Sequence, residues 1–326
     1  MSARATASGA RLELRRFIGV SLGGGRGKTT AVARLELDPI TGALTLAEAR
    51  ARWGQRGGGE VAKDDDEHGE AAFRDDVLLR WLGDWVDEQS VVAFDAPLTM
   101  PPCVRCQLAC PGIDACEVPV VVWMRNHAGR LSIRSGRSDP SKPAVTPYTQ
   151  RATELLLERA TLQPREALGQ GMGPLAARAT YLRRALSPRL RLHENLIEVH
   201  PRATLIRRFG LREERKSRQG EVERTWETRK TMLASLVEGL TFDRVWPELV
   251  VRNVHVFHAV VAAFTAWFWA REGWQGPADL LELEPPSPEP PGPTTPPPNR
   301  LVAPIAELGD LWLEDGWIWT PPLRRP

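Results

Sequence analysis

Residues 18–37 read IGVSLGGGRGKTTAVARLEL, and the reading of their glycines decides the fold. A phosphate-binding P-loop needs G-x4-G-K-[ST], because its turn must wrap the phosphates in backbone N–H groups before a helix begins at the Lys. Counting back from Gly27, Lys28 and Thr29, the first glycine of that motif falls on Leu22, so the register is missed. The run after the turn, residues 30–38, keeps period two at its ends and has no long helical face. Asp38-Pro39-Ile40-Thr41-Gly42 is a turn signal, and another short apolar run, 43–46, follows it. The stretch predicts strand, glycine-rich turn, strand, turn, strand, with Lys28 and Thr29 in the first turn.

Working outward, residues 63–70, KDDDEHGE, form a charged connection, in the usual case a solvated loop. Residues 71–88 carry a helical apolar stripe. Residues 91–95, VVAFD, read as a buried strand that delivers the carboxylate of Asp95 to its tip. Residues 99–150 are a long insertion rich in Pro, Gly and Cys. Helical patterns resume at 149–160 and 174–186, where Pro174 suits a first helical position. NLIEV, 195–199, is a second buried strand, bearing Glu198 and closed by Pro201. Helices follow at 228–240 and 253–271. Residues 285–298 hold nine Pro in fourteen, a polyproline-type linker or disordered loop. DLWLEDGWIWTPP then predicts an aromatic, hairpin-like segment around Asp315 and Gly316.

A meander is antiparallel, and strands joined through helices are parallel. The expected fold is therefore α/β, a mixed sheet of a three-strand antiparallel meander plus parallel strands flanked by helices, which is the RNase H-like order. The domain reading is a flexible tail at 1–14, one domain over 15–284 with the Cys-rich insertion at 99–150, a Pro-rich linker at 285–300, and a C-terminal aromatic segment, 301–326, packing back on the domain.

A chain of 326 residues, 26% charged and 42% apolar, is an ordinary globular chain able to bury a full core. Its net charge of +2 gives no global sign of nucleic-acid binding. The charge is uneven, however: Arg178, Arg183, Arg184, Arg189 and Arg191 occur without an intervening acid, and residues 202–230 hold ten Lys or Arg against five Glu. Such a face either meets phosphates or is simply solvated. The N-terminus shows no apolar secretory segment, and the most apolar run, 254–270, reads as a buried core helix and not a membrane span. A cytoplasmic protein without a membrane partner is expected.

The pieces GGGRGKTTAVA, FDAPLTMPPCVRC, KPAVTPYTQRATE, LGQGMGPLAARATYLRRAL, NLIEVHPRATL, VHVFHAVVAAFTAW and GWIWTP together resemble the domain-of-unknown-function 429 family, described as predicted nucleases with an RNase H fold. The resemblance runs from about residue 17 to the C-terminus. It implies strand-tip carboxylates that hold two divalent ions, Mg or Mn, for phosphodiester hydrolysis, with Asp95 and Glu198 in two of those places. The first strand of such enzymes carries an Asp where this chain has Ser21, whose hydroxyl brings no negative charge to a hard cation. In the RuvC-like branch the last helix reads His-x2-Asp; here His255 matches, as a possible base, and His258 replaces the metal-binding Asp. Three readings follow: a non-cleaving member, a site retuned for a softer metal through two imidazoles on one helix face, or histidines that are hydrogen-bonded core residues. Asp95 and Glu198 have a bland reading too, as caps of the following turns.

The four cysteines, Cys103, Cys106, Cys110 and Cys116, are spaced C-x2-C-x3-C-x5-C. Without a secretory signal, metal ligation is a better account than disulfides. Zinc generally takes two separated C-x2-C knuckles, and only one is present. C-x2-C-x3-C-P is the tail of a bacterial ferredoxin pattern, which puts an iron–sulfur cluster ahead of zinc, with free thiols as the remaining possibility.

Three function classes stay open: a metal-dependent nuclease or nucleic-acid-processing protein using Asp95, Glu198, His255 and His258; a non-catalytic nucleic-acid-binding module; and a nucleotide-binding phosphotransferase-like protein in which Lys28 meets the phosphates. In the family-like PYTQR, Arg151 either contacts substrate, since its fork suits phosphate, or pins a loop by pairing with Glu154.

Overall fold

The computed structural model of the chain describes residues 11–24, 29–51, 75–132, 143–281 and 300–322. Lys28, the charged run 63–70 and residues 282–299 of the Pro-rich segment lie outside these. The seven strands are β1 (Arg16–Ser21), β2 (Ala31–Leu37), β3 (Leu44–Ala51), β4 (Ser90–Asp95), β5 (Leu196–Val199), β6 (Thr241–Phe242) and β7 (Ile318–Trp319). They form one sheet in the order β6-β3-β2-β1-β4-β5-β7. β1, β2 and β3 are the antiparallel meander, and the pairs β1–β4, β4–β5, β5–β7 and β3–β6 are parallel. The run after the glycines is thus a strand, as its period-two pattern requires.

The helices are α1 (Asp75–Trp85), α2 (Pro102–Arg105), α3 (Pro119–Leu131), α4 (Ala152–Arg159), α5 (Gly173–Leu186), α6 (Pro201–Lys216), α7 (Val222–Leu236), α8 (Pro247–Arg252), α9 (Val254–Glu272), α10 (Val302–Leu308) and α11 (Leu311–Asp315). Side chains alternate along each strand, so every central strand feeds two cores. Phe17, Ala93, Ile197 and Val199 face the core built around α9, whereas Ile18, Val20, Val92, Phe94 and Leu196 face the one shared with α1 and α5. α9 is apolar almost all round and is buried accordingly. Asn253 caps it by accepting the N–H groups of His255 and Val256, and Gly273 ends it in the left-handed conformation.

Gly19 sets the approach of α9 to β1: a Cβ there would lie 1.9 Å from the carbonyl oxygen of Ala259 and 2.5 Å from the amide nitrogen of Ala263. The helix backbone rests directly on the strand, which only a glycine permits.

Several expectations are corrected. Residues 99–150 contain a thirteen-residue helix, α3, that the β-branched run Val120-Val121-Val122 concealed. α6 was missed because its pattern is broken by Gly210, at φ 83°. The helix expected at 228–240 is α7, Val222–Leu236, and the chain is extended at Val237 before β6. The aromatic C-terminal segment is not a hairpin: α11 stops at Gly316, and β7 then pairs with β5 in parallel. Trp312, Trp317 and Trp319 of this segment are buried in the α9 core. Arg11 lies over the ring of Trp269, 4.0 Å from its centroid, and donates to the Trp274 carbonyl. No helix among the described residues is long and apolar enough to cross a membrane.

Candidate functional site

β1 ends at Ser21 and β4 at Asp95, and these two residues are register partners at the carboxyl ends of the central strands. Both sit in the alternation that faces α9. Because Gly19 meets Ala259 and Ala263, the preceding turn of α9 brings His255 and His258 over the ends of the strands. β5 contributes the next residue after its last, His200, which also opens α6. Its Nδ1 lies 3.7 Å from Oδ1 of Asp95, beyond hydrogen-bond reach but within ion-pair range. Its Nε2 is buried and has no hydrogen-bond partner among the described residues. The Asp95 side chain keeps 25% of its exposure, so the cluster opens to solvent.

Burial pushes the Asp95 carboxyl up, but the close approach of His200, then the charges of His258 and Arg165, outweigh it and hold the group below its ordinary value. His258 goes the other way: desolvation brings it down to about 4 against the pull of Asp95. Burial also lowers His255, again opposed by Asp95. At neutral pH the site is an ionised carboxylate facing neutral imidazoles at His255 and His258, a combination suited to accepting and orienting protons.

Glu198 lies elsewhere. It pairs in register with Phe94, whose ring faces the α5 core, so Glu198 shares that face and Asp95, one residue on, takes the other. Arg151 grips both Glu198 oxygens, at 2.6 and 2.8 Å, and a third bond comes from the Leu98 amide at 2.8 Å. Arg151 also donates to Glu154 at 2.7 and 2.9 Å and to Thr99 Oγ1 at 2.8 Å. Burial pushes Glu154 up to about 7 against the attraction of Arg151. Asp315 closes the network, accepting from the Ala152 amide and Arg105 while burial raises its carboxyl. Of the two roles open to Arg151, the structure shows the pinning one: the side chain is fully buried and ties α4, β5 and the loop after β4 together.

The basic half is largely spent on internal contacts. Arg178 donates to the Gly23 carbonyl, Arg183 to Leu98, Arg189 to Gly83 and Val86, and Arg229 to Ser217 and Val251. Arg202 and Arg218 both pair with Glu214. Arg165 is different, an exposed guanidinium whose charge reaches Asp95.

The cysteines occupy α2 and the loop after it. Cys103 and Cys116 pack against the α9 core, Cys110 is exposed, and Leu108 N–H points to Cys106 Sγ at 3.4 Å. Burial raises the Cys103 thiol, helped by Cys116, Cys110 and Cys106, so the four share one neighbourhood. Among the described residues no three His, Cys, Asp or Glu side chains are arranged to hold a metal ion. At the strand tips, one carboxylate among three imidazoles also does not fit a magnesium pair, which demands acidic oxygens.

His200 is the site residue that sequence reasoning missed. Its signal was present, since it follows Glu198 by two at the end of an apolar strand and precedes Pro201, but a single His before a helix is ordinary.

These features define an α/β protein whose seven-stranded mixed sheet carries a carboxylate–imidazole cluster at the carboxyl ends of its central strands. The chain belongs to the DUF429 family, described as proteins of unknown function, whose model matches residues 38–281. The matched span begins after β2 and includes Asp95, His200, His255, His258 and all four cysteines. No curated protein and no solved structure matches the chain.

Proposed function

We propose that the chain is an RNase H-like phosphodiester hydrolase acting on nucleic acid, with its reacting centre at Asp95. The observation that carries this reading is the position of the Asp95 cluster. It lies at the joined tips of β1 and β4, beneath the N-terminal turn of α9, in a sheet whose inner strands run 3-2-1-4-5. That is the place and order in which the RNase H-like fold keeps its reacting groups. Exposed Arg165 supplies a guanidinium for a phosphate at the open side. Glu198 is assigned to the structural network and not to the chemistry.

The test is hydrolysis of labelled single-stranded and branched DNA and RNA, with magnesium, with manganese and with chelator. Cleavage that falls at least ~100-fold in Asp95→Ala supports the reading, that being the usual worth of an acid–base group. Cleavage equal in both proteins refutes the site, and none from the wild type refutes the activity. A second reading, a binding module without chemistry, draws support from Ser21 and from the commitment of Glu198 to Arg151. Salt-sensitive affinity without cleavage is its mark. In either reading the cysteine loop is proposed to carry an iron–sulfur cluster or zinc as a staple, which metal and acid-labile sulfide content of the purified chain tests.

A further inference from the structure

We propose that Tyr148 is a stacking platform for an unpaired base, so that the strand bound beside Asp95 is single-stranded, an inference that rests on the nucleic-acid ligand of the reading above and names its form. The turn that carries Tyr148, residues 146–150, is held on all sides. The Thr146 amide donates to Oε1 of Gln150 at 2.8 Å, and the Thr149 and Gln150 amides donate to the Thr146 carbonyl, both at 2.8 Å. The Pro147 carbonyl accepts from the Cys103 amide, and Arg151, the next residue, is locked in the buried network. Tyr148 is the exposed residue of this turn, at 48%, and it has no hydrogen-bond or ring partner among the described residues. A lone exposed ring is ordinary. What sets this one apart is its surroundings.

Residues 163–168 tie the turn to the strand tips. At one end Gln150 donates to Oε1 of Glu166 at 2.8 Å, and the Leu168 amide donates to the Thr149 carbonyl at 3.1 Å. At the other, Arg202 in the first turn of α6 donates to Oε1 of Gln163 at 2.9 Å, two residues after His200. Arg165 stands between these ties. It is exposed, makes no ion pair among the described residues, and its charge acts on Asp95. An aromatic ring, an uncommitted guanidinium and a carboxylate thus stand in succession from the turn to the strand tip.

Each group suits one part of a nucleic-acid strand. Any base can lay its face on an aromatic ring, and the guanidinium fork fits the phosphate that follows. In a duplex both faces of a base are covered by its neighbours, so the ring can be used only by an unpaired base. The bonds within the turn present the ring without the cost of ordering a loop on binding. Because several arginines of the basic half serve backbone carbonyls, one stacked base carries a large share of the affinity.

The experiment measures binding by fluorescence anisotropy in chelator, which separates it from turnover. The probes are short end-labelled single strands of DNA and RNA, strands of abasic sites of the same length, and the matching duplexes. The wild type is expected to bind the single strands more tightly than the duplexes. Tyr148→Ala is expected to weaken single-strand binding ~5-fold to ~150-fold, the worth of one stacked base, and Tyr148→Phe to bind as the wild type does. On the abasic strands all three proteins are expected to bind alike. Arg165→Gln is expected to reduce the slope of log affinity against log salt by ~0.7, one phosphate on a single strand. Single-strand affinity unchanged in Tyr148→Ala overturns the proposal, as do duplexes bound as tightly as single strands; cleavage that persists alongside leaves the hydrolase reading standing. Ring-dependent binding by a wild type that cleaves nothing with magnesium or manganese upholds the platform and refutes the hydrolysis. A wild type that neither binds nor cleaves overturns both.

Discussion

Replacing Arg151 by Met tests the network that holds the loop after β4 in place. The guanidinium is fully buried and makes contacts of 2.6 and 2.8 Å with Glu198, 2.7 and 2.9 Å with Glu154, and 2.8 Å with Thr99. Met fills much of the volume and removes every donor. Glu198 then keeps the Leu98 amide and the nearby charge of Arg183, and Glu154 keeps the backbone N–H of residue 151, so two buried carboxylates lose the counter-charge that is hydrogen-bonded to them. Removing one partner of a buried ion pair costs about 3–5 kcal/mol, a large part of a domain's usual stability. Glu154, already raised by burial, can escape by taking up a proton, and its folded value stands above its unfolded one. Stabilisation of that kind is full in acid and lost as pH rises, so the deficit should be largest near pH 8 and shrink toward pH 5.5. Arg151→Lys keeps the charge but not the fork and should recover only part. Urea titration followed by tryptophan fluorescence measures this directly. A loss below about 1 kcal/mol at pH 8, or one that does not shrink in acid, refutes the argument from buried charge.

Gly19→Ala places a methyl group against the α9 backbone and should cost about 3 kcal/mol, seen as a fall in Tm; an unchanged Tm would show that helix and strand are not in contact. Glu154, at about 7 when folded against an ordinary 4.5, adds stability that is full below 4.5 and lost as pH rises through 7. His258, at about 4 against an ordinary 6.5, adds stability present above 6.5 and lost as pH falls toward 4. The two slopes oppose each other, so Glu154→Gln should make the protein more acid-labile than the wild type in pH-dependent melts, and His258→Gln less; a reversed order contradicts the assignments. In the metal-free chain, exposed Cys110 should react with a thiol reagent before Cys103, whose thiol is raised by burial, as mass mapping of early time points would show.

The central strands were legible because alternation and apolar runs are local signals: β1, β2, β4 and β5 fall where periodicity put them. Asp95 was legible for the same reason, as an acid at the end of a buried run. The face of Glu198 was not, since it depends on which residue of β4 stands beside it, a pairing made across about a hundred positions. The Arg151–Glu154 pair could be anticipated from i,i+3 spacing, whereas the grip of Arg151 on Glu198 is tertiary. α3 was hidden by Val-rich sequence whose β preference yields to packing against α4 and α10. The basic half could be read as a phosphate-binding face or as a solvated one, because sequence shows charge but not the carbonyls that several of these arginines serve.

The most direct test of the account compares kcat/KM of Asp95→Asn and Glu198→Gln on the best nucleic-acid substrate, at a temperature where both remain folded. The structure predicts a loss of at least ~100-fold for Asp95→Asn and near wild-type turnover for the folded fraction of Glu198→Gln. Equal, severe losses in both would contradict it and restore the two-carboxylate site suggested by the strand tips.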